Sequence, residues 1–168
     1  MNFKEKLRHI RAFVFDIDGV LTNGKIFLNS DNTTSRAVNA KDGYAIQRAV
    51  KEGYTVAIIT YAKDPILKER FQALGVTAFY PGSIDKEEDL KDFSTVYDIP
   101  EAQILYMGDD LPDYLAMKRC GVATCPDDAA QEIRAMCDYV SPHKGGEGCV
   151  RDVIEQVLRL HGKWNLFE

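Results

Sequence analysis

The chain has 168 residues, a length that suits one domain with its own hydrophobic core, and we expect residues 1–168 to form a single domain. Hydrophobic residues make up 45% of it and charged residues 28%, the balance of a soluble globular protein, and the net charge of −5 argues against a general nucleic-acid-binding surface. The N-terminal segment is charged and no apolar run is long enough to cross a membrane, so we expect a cytoplasmic protein.

Strand-like and helix-like segments alternate along the chain. The pattern predicts buried strands at 11–17, 54–60, 76–82 and 103–110, and shorter strands at 122–126 and 138–141. It predicts helices at 42–53, 64–75, 85–99, 113–121, 127–137 and 148–162. Two short strand-like runs flank the turn pair Asp31-Asn32, which favours a β-hairpin over residues 25–39. This alternation is typical of an α/β, doubly wound, Rossmann-like parallel sheet with helices on both faces.

Acidic residues stand where two of the predicted strands end. Asp16 and Asp18 follow the first strand, and Asp109 and Asp110 follow the fourth. Ligands of parallel sheets bind beyond the carboxyl ends of the strands, so we expect these side chains to meet at one edge. Buried carboxylates are costly unless they are paired or hold a metal. A group of carboxylates without histidine or thiolate favours Mg²⁺.

Such a group can also transfer a phosphoryl group. One carboxylate can attack phosphorus and form an aspartyl-phosphate, while a second one two residues on can act as general acid and then as general base. A hydroxyl and an ammonium group would complete the phosphate site. Thr60, at the end of the second strand, and Lys86, before a helix, are the candidates.

Four stretches in this order, DIDGVLT from Asp16, IIT ending at Thr60, Lys86 before a helix and GDDLPD from Gly108, resemble the haloacid dehalogenase phosphatase superfamily. The resemblance implies that Asp16 is the nucleophile and Asp18 the general acid/base, which also offers its backbone carbonyl to the metal. It implies that Thr60 and Lys86 hold the phosphoryl group. It further implies a Mg²⁺ site made by Asp16, Asp18 and Asp109, with Asp110 and Asp113 in support.

Further stretches narrow the resemblance to the capless branch of that superfamily, namely DGVLTNGKIF, NAKDGYAI, YPGSIDK and GGEGCVRDV. The resemblance implies hydrolysis of a keto-deoxy sugar acid phosphate, first of all 3-deoxy-D-manno-octulosonate (Kdo) 8-phosphate in lipopolysaccharide synthesis. A nine-carbon, sialic-acid-type 9-phosphate stays open as the alternative. The segments between the motifs hold one hairpin and single helices, so no lid domain is predicted. The resemblance instead implies a homotetramer in which a neighbour's hairpin and glycine-rich C-terminal tail border the pocket.

Substrate contacts are also implied by the resemblance. They fall on the segment Asn39–Gly43, on Arg70 and on two positions where this chain departs from its relatives. Relatives read ITGR or ITGG where this chain reads ITYAK, so Lys63 is a candidate for the missing charge. They often read GGRG where this chain reads GGEG, which slightly favours the nine-carbon substrate, whereas NAKDGYAI favours the eight-carbon one. The candidate substrate-binding residues are therefore Asn39, Lys41, Asp42, Gly43, Lys63, Arg70 and Glu147.

Two other classes of protein compete with a phosphatase. A signalling receiver domain also combines acids, Mg²⁺, a hydroxyl and a lysine on a doubly wound sheet. Its phospho-acceptor follows the third strand, however, and no acid pair follows the fourth, whereas here the pair Asp16 and Asp18 comes first and Asp109-Asp110 comes late. A binding protein with a dead site has little support, because the whole catalytic set is present.

Overall fold

The computed structural model describes residues 1–167, in which strands and helices alternate along the chain. The strands are β1 (Ala12–Phe15), β2 (Phe27–Leu28), β3 (Thr34–Ser35), β4 (Thr55–Ile59), β5 (Ala78–Tyr80), β6 (Ile104–Met107), β7 (Val122–Cys125) and β8 (Tyr139–Val140). The helices are α1 (Phe3–Leu7), α2 (Ala40–Lys51), α3 (Pro65–Ala73), α4 (Lys86–Val96), α5 (Tyr114–Arg119), α6 (Gln131–Met136) and α7 (Cys149–Leu160).

Six of these strands form one parallel sheet in the order β5-β4-β1-β6-β7-β8. This order confirms the predicted doubly wound topology. In the register, Phe15 of β1 lies beside Ile58 of β4 on one side and Met107 of β6 on the other. The carboxyl ends of these three strands therefore meet, and the segments that follow them are neighbours in space.

Alternate side chains of the central strands build two separate cores, one on each face of the sheet. Phe13 and Phe15 point to one face, where α2, α3 and α7 cover them, and Val14 points to the other, where α4, α5 and α6 pack. Because β1 is buried on both faces, its sequence is a continuous apolar run and not an alternating one. No helix among residues 1–167 has both the length and the apolar character that a membrane crossing needs.

The connections after the central strands are short. Between β1 and β4 the described chain holds the antiparallel hairpin of β2 and β3, as predicted, and the helix α2. Between β4 and α4 it holds α3 and β5. Within the described residues neither connection contains a further domain.

Two details of the helices differ from the sequence-based prediction. The helix α1 was not predicted, although Asn2 and Glu5 form a capping box at its start. The helix α4 ends at Val96, three residues earlier than predicted, because Asp98 has a φ of 52° that no α-helix continues through.

Candidate active site

The nucleophile candidate Asp16 follows β1 directly and starts a tight turn over Ile17–Leu21. Its Oδ1 accepts a hydrogen bond from the backbone N–H of Ile17 at 2.7 Å. Gly19 lets the turn close, since its φ is 88° and a Cβ added there would lie 1.8 Å from Oδ2 of Asp109. A side chain at position 19 would therefore enter the space of the second acidic group, which only glycine leaves free.

Lys86, the first residue of α4, joins two of the acids. Its Nζ lies 3.1 Å from Oδ2 of Asp16 and 2.8 Å from Oδ1 of Asp113. The three residues are 5%, 7% and 1% exposed, respectively, so this ion pair network is held away from bulk water. Burial alone would lower the pKa of Lys86, yet the charges of Asp113 and Asp16 outweigh it and raise the pKa above its usual value.

Asp113 is the hydrogen-bonding centre of the site. Its Oδ1 also accepts from the hydroxyl of Tyr106 at 3.0 Å, and its Oδ2 accepts from the backbone N–H groups of Asp109 at 3.1 Å and Asp110 at 3.4 Å. Both oxygens are thus committed to protein donors, which suits the supporting role predicted for Asp113. The part played by Tyr106 was not predicted, because a tyrosine inside an apolar strand carries no sequence signal of a polar partner.

The chemistry of the donor set fits a magnesium ion. Oxygen atoms of Asp16, Asp109 and Asp113 all lie within 4.8 Å of one another. With Lys86, these three carboxylates leave two uncompensated negative charges, the charge that a divalent cation neutralises. Among the described residues no donor binds the carboxylate of Asp109, which leaves it available. Oxygen ligands of this kind are those that Mg²⁺ takes in proteins.

The carboxylates of Asp18 and Asp110, two other predicted members of the metal site, line one cavity with Asp16, Asp109 and Asp113 but lie outside this tight group of three. The carboxylate of Asp18 accepts from Arg36 of the hairpin, and its backbone carbonyl stays the ligand that the resemblance implies. Asp110 is exposed, and its Oδ1 accepts from the backbone N–H of Leu111 at 2.8 Å. Asp110 therefore caps the short turn after β6, and its support of the metal ion stays a prediction.

Burial and mutual repulsion strongly raise the pKa values of two of these acids. Burial, aided by the charge of Asp113 and opposed by Lys86, raises the pKa of Asp16 to about 7. Burial and the charges of Asp16 and Asp113 raise the pKa of Asp109 to about 8. Both carboxylates are therefore easier to protonate than an ordinary aspartate, and a bound cation would favour their ionised forms.

The general acid/base candidate Asp18 is held by an arginine that was not predicted. Arg36, just after β3, donates from Nε to Oδ1 of Asp18 at 2.6 Å and from Nη2 to Oδ2 at 3.2 Å. Its Nη1 forms a further ion pair with Asp64. The hairpin is thereby tied to the turn that carries Asp18.

A cavity of about 500 Å³ opens over these residues. Among the described residues that line it, Lys86 is the only cation and stands against five aspartates, so a phosphate group needs further positive charge to enter the cavity favourably. Tyr61, the residue that replaces the glycine of relatives, is 69% exposed at its rim. Thr60 directly follows β4, next to β1; it is not among the described lining residues, and its Oγ1 accepts from the backbone N–H of Ala62 at 3.2 Å. Ser83, which is in the lining, has a buried hydroxyl with no hydrogen-bond partner.

Three of the predicted substrate-binding residues have structural positions outside this cavity. Asn39 caps α2 and donates from Nδ2 to the carbonyl of Gly146 at 3.1 Å. Asp42 is 1% exposed and accepts from the backbone N–H of Arg151 at 2.9 Å. Gly43 is buried, and a Cβ added to it would lie 3.0 Å from Nη2 of Arg70. Within one chain Asn39 and Asp42 tie the start of α2 to the glycine-rich tail and to α7, respectively.

The remaining predicted substrate residues are exposed. Lys41 and Glu147 line a second cavity of about 500 Å³ beside α7, together with Arg151. The aliphatic part of the Lys63 side chain packs against Gly82, and Arg70 lies on α3. The sequence could not separate the two cavities, since residues adjacent in a motif point in different directions once the chain folds.

The glycine-rich tail packs against the turn of the nucleophile. A Cβ at Gly145 would lie 2.0 Å from the carbonyl oxygen of Gly19, and the N–H of Gly146 donates to the carbonyl of Val20 at 2.9 Å. The tail was predicted as a mobile loop at a neighbour's pocket. In the structure these glycines brace the chain's own turn after β1, and the place of the tail at a neighbour's pocket stays a prediction.

Known proteins match both the sequence and the fold. A haloacid dehalogenase-like hydrolase family model matches residues 70–154. The 3-deoxy-D-manno-octulosonate 8-phosphate phosphatase KdsC of Escherichia coli (strain K12) is 34% identical over 158 residues, which cover 94% of this chain and 84% of that protein.

Solved structures of known phosphatases have a fold similar to that of this chain. The 3-deoxy-D-manno-octulosonate 8-phosphate phosphatase of Moraxella catarrhalis, in complex with a magnesium ion, a phosphate ion and a KDO molecule, superposes with a TM-score of 0.90 at 32% identity, covering 94% of this chain and 90% of that one. The cobalt-bound deoxy-D-mannose-octulosonate 8-phosphate phosphatase of Haemophilus influenzae gives a TM-score of 0.92 at 29% identity, with coverages of 97% and 95%.

Proposed function

This chain belongs to the haloacid dehalogenase-like hydrolases, and we propose that it is a magnesium-dependent phosphatase that hydrolyses Kdo 8-phosphate to Kdo and inorganic phosphate. The observation that carries the chemistry is the buried group of Asp16, Lys86 and Asp113 beside Asp109 at the carboxyl edge of the sheet. The relatives, one of them bound to magnesium, phosphate and KDO, support the eight-carbon substrate over the nine-carbon one.

The reaction runs in two displacements at phosphorus. An oxygen of Asp16 attacks the phosphoryl group, and the bond from phosphorus to the sugar oxygen breaks while Asp18 gives that oxygen a proton. Asp18, now a carboxylate, takes a proton from a water molecule that attacks the phosphoryl group. The bond from phosphorus to Asp16 then breaks and inorganic phosphate leaves, so the enzyme returns to its starting state.

Other groups hold the phosphoryl group during both displacements. Lys86 donates to its oxygens and offsets part of their charge, and the hydroxyl of Thr60 is the proposed second donor. The carboxylates of Asp16 and Asp109 and the backbone carbonyl of Asp18 would hold Mg²⁺, which would supply the positive charge that lets an anionic nucleophile meet an anionic phosphate. Asp113 positions Lys86 through their 2.8 Å contact.

The protein is further proposed to act in the cytoplasm, in lipopolysaccharide synthesis, as a homotetramer. The hairpin supports an assembly, since Phe27 and Leu28 on β2 are 61% and 84% exposed and would be covered by a neighbour. The test is light scattering after gel filtration. A tetramer that Leu28→Asp splits into smaller species supports the proposal, and a monomeric wild type contradicts it.

The substrate is tested by steady-state phosphate release with Mg²⁺ and with chelator. Kdo 8-phosphate is compared with nine-carbon sugar-acid 9-phosphates, and Asp16→Asn serves as the inactive control. The proposal expects kcat/KM to favour the eight-carbon ester and to vanish with chelator. A preference for the nine-carbon esters would make Tyr61 and Glu147 the determinants of specificity. Turnover that Asp16→Asn leaves unchanged would overturn the mechanism.

A further inference from the structure

Arg36 joins three segments that are distant in sequence. It lies directly after β3 of the hairpin, and its side chain is 8% exposed. Its Nε and Nη2 donate to both carboxylate oxygens of Asp18, at 2.6 Å and 3.2 Å, while Nη1 pairs with Asp64. A two-pronged arginine contact fixes the plane of a carboxylate, which a single ammonium cannot do.

Asp64 serves as the anchor of Arg36. It occupies the N-cap position of α3, where an aspartate ordinarily accepts from the first backbone N–H groups of the helix, yet it makes no such side-chain bond. Its Oδ1 accepts from the hydroxyl of Thr34 on β3 at 3.0 Å, and its Oδ2 binds Arg36. The carboxylate of Asp64 is therefore committed to the hairpin and not to its own helix.

We propose that Arg36 is a positioning residue that aims the general acid/base Asp18, so that the hairpin sets the geometry of proton transfer. The inference rests on the proposed function, in which Asp18 protonates the leaving oxygen. The longer of the two bonds, from Nη2 to Oδ2, opens so that Oδ2 carries the proton, and the shorter bond keeps Oδ1 in place. After the transfer, the Asp18 carboxylate regains both bonds and is ready to accept the proton of the attacking water.

Two aromatic esters of similar size separate this role from substrate binding. Benzyl phosphate releases an alcohol that needs a proton, whereas 4-nitrophenyl phosphate releases a stable phenolate that does not. The value of kcat/KM reports on the first displacement for both esters. Loss of a residue that positions the general acid should therefore lower kcat/KM more for benzyl phosphate than for 4-nitrophenyl phosphate. Loss of a residue that only supports the fold should lower kcat/KM equally for both esters.

The variants are Arg36→Lys, Arg36→Ala and Asp64→Asn. For Arg36→Lys we expect kcat/KM to fall by about 10- to 100-fold on benzyl phosphate and by less than about 3-fold on 4-nitrophenyl phosphate. Asp64→Asn should give a smaller loss with the same selectivity, because it loosens the anchor without touching Asp18. The matched control is Arg119→Ala, since Arg119 also bridges two acids, Glu87 and Glu101, but lies at the far end of α5.

Equal losses on the two esters, or no loss in any of the Arg36 variants, would overturn the positioning role. Arg36→Lys and Asp64→Asn keep a polar side chain at each site, so the test does not depend on the folding of Arg36→Ala. Failure of the proposed function would give a different result from failure of the positioning role. The wild type would then hydrolyse neither ester, or Asp16→Asn would be as active as the wild type.

Discussion

Lys86 Nζ lies between two buried carboxylates, 3.1 Å from Asp16 and 2.8 Å from Asp113. The lysine thus holds the nucleophile in place and compensates one of the negative charges at the floor of the cavity. Removal of Lys86 would destabilise the site, because the buried carboxylates would then face one another without a compensating positive charge.

Replacement of Lys86 by Ala should therefore cost both activity and stability. We expect kcat to fall by at least about 100-fold. The free energy of unfolding in chelator should fall by about 3–5 kcal/mol, as expected when one partner of a buried ion pair is removed. Urea titration with chelator and with Mg²⁺ measures this loss, and Mg²⁺ should recover part of it. Unchanged stability in chelator would mean that the acids are already protonated and need no counter-charge.

Gly19→Ala should damage the metal site specifically. The φ of 88° strains any residue with a side chain, and the added Cβ would lie 1.8 Å from Oδ2 of Asp109. Gly53→Ala is the matched control, since Gly53 has a φ of 91° with no atom within 4 Å of the added Cβ. Both variants should lose about 1–2 kcal/mol of stability from backbone strain. Only Gly19→Ala should raise the Mg²⁺ concentration for half-maximal activity, by about 10-fold or more, which corresponds to about 1.4 kcal/mol of lost binding.

Tyr106→Phe should show what the hydroxyl on Asp113 contributes. The variant removes one donor at 3.0 Å from a fully buried residue and leaves the ring in place. We expect a loss of about 1 kcal/mol in unfolding free energy, the typical net value of one hydrogen bond. Thermal or urea denaturation in chelator measures it. A more stable variant would indicate that Lys86 and the two backbone N–H groups already satisfy Asp113.

The raised pKa values of Asp16 and Asp109 predict how stability depends on pH. Their values in the folded protein are about 7 and about 8, against 3.8 for an ordinary aspartate. The folded state then binds more protons than the unfolded state between about pH 4 and pH 8, so stability in chelator falls as the pH rises through this window. Mg²⁺ favours the ionised carboxylates, and its stabilising effect should therefore grow with pH.

Denaturation at pH 5.5 and pH 8, each with chelator and with Mg²⁺, checks this expectation. Asp109→Asn removes one of the two titrating acids and should flatten the pH dependence in chelator. A stabilisation by Mg²⁺ that is equal at the two pH values would contradict the linkage between metal binding and these protons.

The sequence was sufficient to predict the sheet and its carboxyl edge. Strand β1 is apolar on both faces and Asp16 follows it directly, so the burial of the strand and the acid at its end can both be predicted from neighbouring residues. The sequence was less informative about helix ends. The helix predicted over 85–99 ends at Val96, which is 65% exposed, while Leu90 and Phe93 of the same helix are fully buried.

The contacts between distant residues could not be predicted. Nothing in the sequence near Arg36 indicates that its partner is Asp18 rather than water, because the pair forms only when the hairpin folds back over the turn after β1. Likewise, Asp42 belongs to a motif that the resemblance assigns to substrate, yet its carboxylate accepts from the backbone of α7. Motifs specify which residues are near a site, whereas packing decides which way each side chain points.

The most direct test of the mechanism is to trap the phosphoryl group on Asp16. The Asp18→Asn variant is mixed with 4-nitrophenyl phosphate and Mg²⁺, quenched, treated with borohydride and mapped by mass spectrometry. The first displacement of this ester needs no acid, whereas the attack of water needs the base that the variant lacks. We predict a burst of about one nitrophenolate per active site and a reduced aspartyl group at position 16 alone. The absence of both, in a protein whose wild type hydrolyses the same ester, would contradict covalent catalysis by Asp16.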